Sequence, residues 1–79
     1  MRRDLSSRDV AELLQRIRIT FKRHGKEDVY EGDFRGRMRV VIVPRNKRSI
    51  PKGTLASIFR QAGITGAEAE RLIEGKDLD

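Results

Sequence analysis

Residues 38–44 have the sequence MRVVIVP, and this stretch decides the fold. In an extended backbone its side chains alternate in direction, so residues 38, 40 and 42 share one face and residues 39, 41 and 43 share the other. Because the end of the stretch is apolar on both faces, we expect it to be the central strand of a sheet. Pro44 has no amide hydrogen to donate, so the strand ends there.

Two further strands are predicted upstream of this stretch. Residues 17–22 alternate apolar and polar, with Ile17, Ile19 and Phe21 on one face, which is typical of a half-buried strand. A weaker alternation over residues 29–34 indicates a second strand, and a Gly-centred turn at residues 35–37 joins it to the third. We therefore expect three consecutive antiparallel strands.

A helix is predicted on each side of these strands. Residues 7–17 carry apolar side chains at helical spacing, and Ser6 or Ser7 can cap the first turn. A second apolar stripe follows Thr54, which we expect to cap that helix. Gly63 follows the stripe and is expected to end the helix, because glycine adopts the left-handed conformation of a helix terminus at little cost.

A shorter third helix is predicted after the second. Thr65 and Glu68 have the spacing of a capping box, which marks a helix start. This order of elements predicts an α+β fold with the order α-β-β-β-α, in which a three-stranded antiparallel sheet carries its helices on one face. We expect one domain over residues 1–79, with the acidic residues 75–79 frayed.

The composition restricts the class of protein. With 79 residues the chain is long enough for one domain only. It contains no cysteine, which excludes a disulfide framework and thiolate chemistry. No apolar run approaches the ~20 residues of a membrane span, and the polar residues near the start do not resemble a signal peptide. We therefore expect a cytoplasmic protein that does not bind a membrane.

Positive charge is concentrated in the middle of the chain. The formal net charge is +6, and residues 16–60 contain 13 Lys or Arg against four Asp or Glu. Residues 65–79 contain two basic and five acidic side chains. Ordinary protein surfaces intersperse the two signs, and a solubilising surface is the less specific interpretation of this excess. A basic block followed by an acidic tail is typical of a protein that binds a polyanion.

The basic loop after the third predicted strand gives this charge a physical meaning. Residues 44–54, PRNKRSIPKGT, place four cations before a helix N-terminus, where free amide groups and the helix dipole already favour phosphate. The spacing is not that of a nucleotide-hydrolysing P-loop. Binding to the phosphate backbone of a nucleic acid, independent of its base sequence, suits RNA helices. The predicted RNA-binding residues are Arg23, Lys26, Arg45, Asn46, Lys47, Arg48, Lys52 and Thr54.

His24, the only histidine, is the best candidate for chemistry. Imidazole exchanges protons near neutral pH, so it can take the proton of an RNA 2′-hydroxyl or protonate the leaving oxygen. The other interpretation of a single histidine is an exposed loop residue without a catalytic role.

Four carboxylates lie inside the basic block. They belong to Glu27, Asp28, Glu31 and Asp33. Metal-dependent nucleases hold Mg²⁺ with such groups, but no positioned histidine or further carboxylate supports a site here. We therefore predict no metal and no cofactor, and expect ion pairs with Arg35, Arg37 and Arg39 on neighbouring strands.

Several segments carry a resemblance to a known family. They are VIVPR at residues 41–45, the basic loop, GTL at residues 53–55, Ile58 and QAGI at residues 61–64. In these segments and in the order of its elements, most of the chain resembles the HicA family of toxins from bacterial toxin–antitoxin pairs. The resemblance implies a fold like that of double-stranded-RNA-binding domains and cleavage of mRNA without a metal. It also implies neutralisation by a HicB-like antitoxin.

The sequence departs from the family pattern at the position of the catalytic histidine. The family typically carries this residue in Gly-Ser-His, or after an Asp, at the entry to the second strand. Here residues 25–29 are GKEDV, and no histidine follows Asp28. Many relatives also have a histidine where this chain has Asn46. We therefore predict that His24, immediately before the glycine, takes the catalytic role.

Three functions remain open on this evidence. The first is a toxin that binds and cleaves mRNA or double-stranded RNA and is blocked by a HicB-like antitoxin. The second is a non-catalytic RNA-binding module of the same fold that has lost the catalytic histidine. The third is a small DNA-binding protein, which has the same charge pattern but no recognisable helix-turn-helix or ribbon motif.

Overall fold

The computed structural model describes residues 4–78, and within this range the chain forms three helices and one three-stranded sheet. The strands are antiparallel in the order β1-β2-β3. No helix in this range is long and apolar enough to cross a membrane. The elements are α1 (Ser7–Arg16), β1 (Thr20–Arg23), β2 (Asp28–Phe34), β3 (Arg37–Val43), α2 (Lys52–Ala62) and α3 (Gly66–Ile73).

The core lies between the helices and one face of the sheet, which confirms the predicted α+β fold. Helix α1 contacts β1 and β3, and α2 contacts β3 and α3. Burying apolar side chains between these layers removes their surface from water and supplies the main force that holds the layers together. The largest fully buried side chains are Val10, Leu14, Ile19, Val41, Val43 and Ile58.

Strand β3 lies at the edge of the sheet and β2 in the middle, so the prediction of a central β3 is wrong. Val41 is fully buried, whereas Met38 and Val40 on the opposite face are 58% and 45% exposed. The outer edge of β3 is covered by α2, where the Gln61 side chain accepts a hydrogen bond of 2.8 Å from the Ile42 amide. Helix packing therefore explains the buried face of this strand, whereas Met38 and Val40 make its opposite face apolar although it is exposed.

Strand β1 begins three residues later than predicted, at Thr20. Ile17 is the C-cap of α1, and Arg18 adopts the left-handed conformation with φ of 66°. The chain turns at this point, so Ile17 and Ile19 are buried by the turn and not by strand alternation. Phe21, which the pattern placed with them in the core, lies exposed on β1.

Strand β2 is confirmed, and Gly32 explains why its alternation is weak. A Cβ atom at Gly32 would overlap the carbonyl oxygen of Arg18 and lie 2.9 Å from the Cα atom of Ile19. The turn between α1 and β1 therefore crosses β2 at this residue, and only glycine leaves room for it.

The predicted Ser6 cap of α1 and the predicted capping box of α3 are confirmed, and the α1 cap is also a full capping box. In α1 the Ser6 side chain accepts the Asp9 amide, and the Asp9 carboxylate accepts the Ser6 amide, each over 3.0 Å. In α3 Thr65 and Glu68 make the same reciprocal pair. These bonds satisfy amide groups that have no partner inside the helix.

The start of α2 differs from the prediction. Its N-cap is Pro51, and Thr54 lies within the first turn and does not cap it. Pro51 already has the extended backbone of an N-cap, with φ of −57° and ψ of 148°, and its ring provides no hydrogen-bond acceptor. The first turn therefore has neither a side-chain cap nor an acidic residue, which keeps it favourable for an anion. Gly63 ends α2 as predicted, with φ of 84°.

The end of the chain is fastened to α1 by Arg16. Its guanidinium donates to the carbonyl oxygens of Leu72 and Lys76 over 2.7 and 2.8 Å. This cation of the basic block is therefore used inside the fold. The fraying expected for residues 75–79 stays a prediction, and residue 79 lies outside the described range.

Candidate nucleic-acid interface

Two loops lie side by side at one end of the sheet. The hairpin loop, residues 24–27, joins β1 to β2, and the basic loop, residues 44–51, follows β3. They meet because Asp28, the first residue of β2, lies opposite Val43, the last residue of β3. The register of the sheet thus brings the only histidine of the sequence to the loop that contains half of the predicted RNA-binding residues.

His24 is hydrogen-bonded to the carboxylate of Asp28 between these loops. Its Nδ1 atom lies 2.7 Å from Oδ1 of Asp28, and its ring contacts Phe21 with the centroids 4.8 Å apart. Arg45 places Nε 3.6 Å from the same carboxylate oxygen and donates from Nη1 to the Gly25 carbonyl over 3.3 Å. When Nδ1 donates to Asp28, Nε2 is the nitrogen that can take up a proton.

Exposure differs across this cluster. The His24 side chain is 64% exposed, and that of Asp28 is 20% exposed. A large substrate can therefore reach the imidazole, while the less exposed carboxylate of Asp28 keeps the imidazole in place. This arrangement of a base oriented by a carboxylate is the one that general acid–base catalysis uses.

Tyr30 lies buried beside the cluster. Its ring packs edge-on against Phe21 with the centroids 5.7 Å apart, and Phe21 in turn contacts His24. Burial, and secondly the negative charge of Asp28, raise the pKa of Tyr30 above its usual value of 10.0. The phenol therefore stays uncharged at neutral pH and supports the aromatic contacts around His24.

The basic loop is fixed to α1 by Ser7. The Ser7 hydroxyl donates to the Pro44 carbonyl over 2.6 Å and accepts the Lys47 amide over 3.0 Å, while the Ser7 amide donates to the Lys47 carbonyl over 2.9 Å. Asn46 within this turn has φ of 55°, a conformation that asparagine tolerates better than most residues. These bonds set the direction of the loop cations.

Sequence reasoning did not find Ser7 and Tyr30 as members of the site. Ser7 acts on residues 37 and 40 positions later in the chain, and no local pattern indicates such a contact. The sequence marks Tyr30 only as a strand residue on an apolar face, which does not indicate a place in the site. Both become visible only when the sheet register is known.

The predicted RNA-binding residues separate into groups. Asn46 and Lys47 line a groove that also contains Asp28, so they lie close to the histidine cluster. Thr54 borders a different groove on the other side of the basic loop. Lys52 borders an apolar groove between α2 and α3, away from His24. Arg23 precedes the hairpin loop and Lys26 lies within it, and both, like Arg48, are exposed.

The carboxylates of β2 pair differently from the prediction. Glu31 lies 3.6 Å from Nζ of Lys22 on β1. Arg39 lies opposite Gly32, so it points to the other sheet face from Glu31, and Arg37 shares the face of Arg39 because side chains alternate. Within residues 4–78 no group of three or more His, Cys, Asp or Glu is placed to hold a metal ion.

Comparison with protein families identifies the chain. The family model described as HicA toxin of bacterial toxin–antitoxin matches residues 7–64, from the start of α1 to just beyond α2. The chain belongs to the HicA toxin family. No curated protein and no solved structure gave a significant match. The region matched to HicA includes both loops of the candidate site.

The absence of the usual family histidine after Asp28 stays a prediction from the resemblance. The residue after Asp28 is Val29, which is buried and lies opposite Ile42. The histidine that the chain does contain, His24, reaches the carboxylate of Asp28 from the hairpin loop.

Proposed function

We propose that this HicA family member is an endoribonuclease that cleaves mRNA without a metal and is neutralised by a HicB-like antitoxin. The observation that carries the proposal is the contact of 2.7 Å between His24 Nδ1 and Asp28 Oδ1, with Arg45 beside it. The pair supplies an oriented and accessible base, and the surrounding positive charge attracts the RNA backbone.

In the proposed reaction, Nε2 of His24 takes the proton of a 2′-hydroxyl, and the 2′-oxygen attacks the adjacent phosphorus. The bond from phosphorus to the 5′-oxygen breaks, and that oxygen takes a proton from water. The imidazolium returns its proton to the hydroxide that remains, which restores the base. The products are a 2′,3′-cyclic phosphate and a 5′-hydroxyl. Asp28 holds the Nδ1 hydrogen and stabilises the imidazolium, while Arg45 offsets the negative charge that builds on the phosphate.

Product analysis tests this chemistry. The purified protein is incubated with mRNA in EDTA, and the ends of the fragments are determined. We expect 2′,3′-cyclic phosphate ends and no cleavage of RNA that is 2′-O-methylated throughout. Fragments with 5′-phosphate ends, or activity that EDTA abolishes, would contradict the proposal.

Growth measurements test the proposed partner. Expression of the chain alone should arrest growth, and co-expression of a HicB-like protein encoded beside it should restore growth. An arrest that such a protein does not relieve would rule it out as the antitoxin. The growth measurement tests the identity of the partner, and the product analysis tests the cleavage chemistry.

The alternative is a non-catalytic RNA-binding module of the same fold, and Val29 at the usual histidine position favours it. This alternative predicts salt-dependent RNA binding with no products at any protein excess. It also predicts that Val29→His introduces cleavage. Under the main proposal the unchanged chain already cleaves RNA, and Val29→His adds little.

A further inference from the structure

Two grooves flank the basic loop, and they differ in charge. The α1 groove, about 380 Å³, lies between the first turn of α1 and the basic loop. The α2 groove, about 480 Å³, lies between the basic loop and the first turns of α2. The α1 groove is lined among others by Ser7, Arg8, Asp28, Tyr30, Asn46 and Lys47.

The α1 groove is the one that favours a polyanion. It contains two cations, Arg8 and Lys47, and one carboxylate, Asp28, which already pairs with His24 and Arg45. Among the described residues that line the α2 groove, the only charged one is Glu27. The lining charges of the α1 groove therefore attract an RNA phosphate more strongly than those of the α2 groove, where Glu27 opposes the uncapped first turn of α2.

The α1 groove also begins at the proposed catalytic pair. Asp28 lines the groove and its Oδ1 atom lies 2.7 Å from Nδ1 of His24, so a strand that binds in the groove lies next to the imidazole. The volume of about 380 Å³ is near the lower end of the range for ligand pockets. A groove of this size accommodates about one nucleotide, and a nucleotide seated in it together with its base is unpaired.

We propose that the α1 groove binds the nucleotide adjacent to the cleaved phosphate in single-stranded RNA. Arg8 and Lys47 bind the phosphate of that nucleotide, and the Asn46 side chain offers hydrogen bonds to its base or sugar. The inference rests on the proposed function and adds to it the strandedness of the substrate and the role of Arg8, a residue that the sequence did not indicate.

Binding of an RNA that cannot be cleaved tests the groove. We compare Arg8→Ala with Arg60→Ala, a matched control on the surface of α2, using a short unstructured 2′-O-methyl RNA. Arg8→Ala should weaken binding by roughly 5-fold to 10-fold at low salt and reduce the salt slope by about 0.7, the value for one contact to a single strand. Arg60→Ala should change affinity by less than about 2-fold, and Lys47→Ala should repeat the loss seen with Arg8→Ala.

The outcomes separate the groove from the proposed function. If Arg8→Ala and the unchanged chain have the same affinity and the same salt slope, the proposed role of the α1 groove is wrong. Cleavage by the unchanged chain would still support the proposed function. An equal loss in Arg60→Ala shows a general charge effect and also overturns the proposed role of the α1 groove. Tighter binding of a duplex than of the single strand overturns the strandedness. An unchanged chain that neither binds nor cleaves RNA removes the proposed function itself.

Discussion

At the scale of single residues, Asp28 and Gly32 determine how the site is built. Asp28 is shared, since one of its oxygens lies near both His24 and Arg45. Gly32 lets the turn after α1 cross the sheet and so places the start of β1, which leads to His24. The histidine and the basic loop could be identified from the sequence. The position of Asp28 between them could not, because it follows from the register of the sheet.

Gly32 should tolerate no side chain. Gly32→Ala places a methyl group against the backbone of Arg18 and Ile19, which cannot move as a flexible side chain can, and we expect a loss of about 3 kcal/mol in the free energy of unfolding. The control is Gly53→Ala in the first turn of α2, where a Cβ meets nothing within 4 Å. Urea denaturation should show the control unchanged or slightly stabilised, and an equally stable Gly32→Ala would contradict the close crossing.

Tyr30 provides a spectroscopic test of the cluster, because it is the only tyrosine in the chain. Burial and the Asp28 charge raise its pKa, so the ultraviolet signal of tyrosinate should develop above pH 10 in the folded protein. Asp28→Asn removes the second of these causes and should move the titration toward lower pH. A titration that Asp28→Asn leaves unchanged would separate Tyr30 from the cluster.

At the scale of elements, alternation and caps predicted most of the fold. Both capping boxes, the end of α2 at Gly63 and strands β2 and β3 follow local rules that short segments obey. Two errors have physical causes outside the segments concerned. The left-handed Arg18 ends α1 without a glycine, and α2 takes the place of a further strand at the edge of β3.

The contact between the β2–β3 turn and α3 should depend on pH. Arg35 donates two hydrogen bonds to the Glu68 carboxylate, over 2.9 and 2.5 Å. This hydrogen bonding, followed by that from the Thr65 amide, lowers the pKa of Glu68 from 4.5 to about 2. The charged carboxylate is thus favoured in the folded state, so its contribution to stability is complete above pH 4.5 and is lost as the pH falls to about 2.

Glu68→Gln tests this contact. The variant should unfold at a lower temperature than the unchanged chain at neutral pH, and the two melting temperatures should converge as the pH falls below 4.5. A constant difference across that range would show that the charge of Glu68 is not the cause. Thermal unfolding followed by circular dichroism provides both curves.

At the scale of the whole molecule, charge is divided between two parts of the chain. The loops beside His24 are basic, while α3 and the end of the chain carry Glu68, Glu70, Glu74 and Asp77. Composition alone indicated a polyanion ligand, and the family match makes the chain a member of the HicA toxins. Composition could not show which cations are available, because Arg16 and Arg35 are engaged within the fold.

The central claim is that His24 cleaves RNA, and one measurement tests it most directly. Cleavage of a single mRNA in EDTA is compared for the unchanged chain and for His24→Ala, with RNA affinity measured in parallel. The proposal predicts that the cleavage rate falls by about 100-fold or more while the affinity for RNA is nearly unchanged, because the exposed imidazole takes part in the reaction and not in RNA binding. Equal cleavage by the two proteins would contradict it.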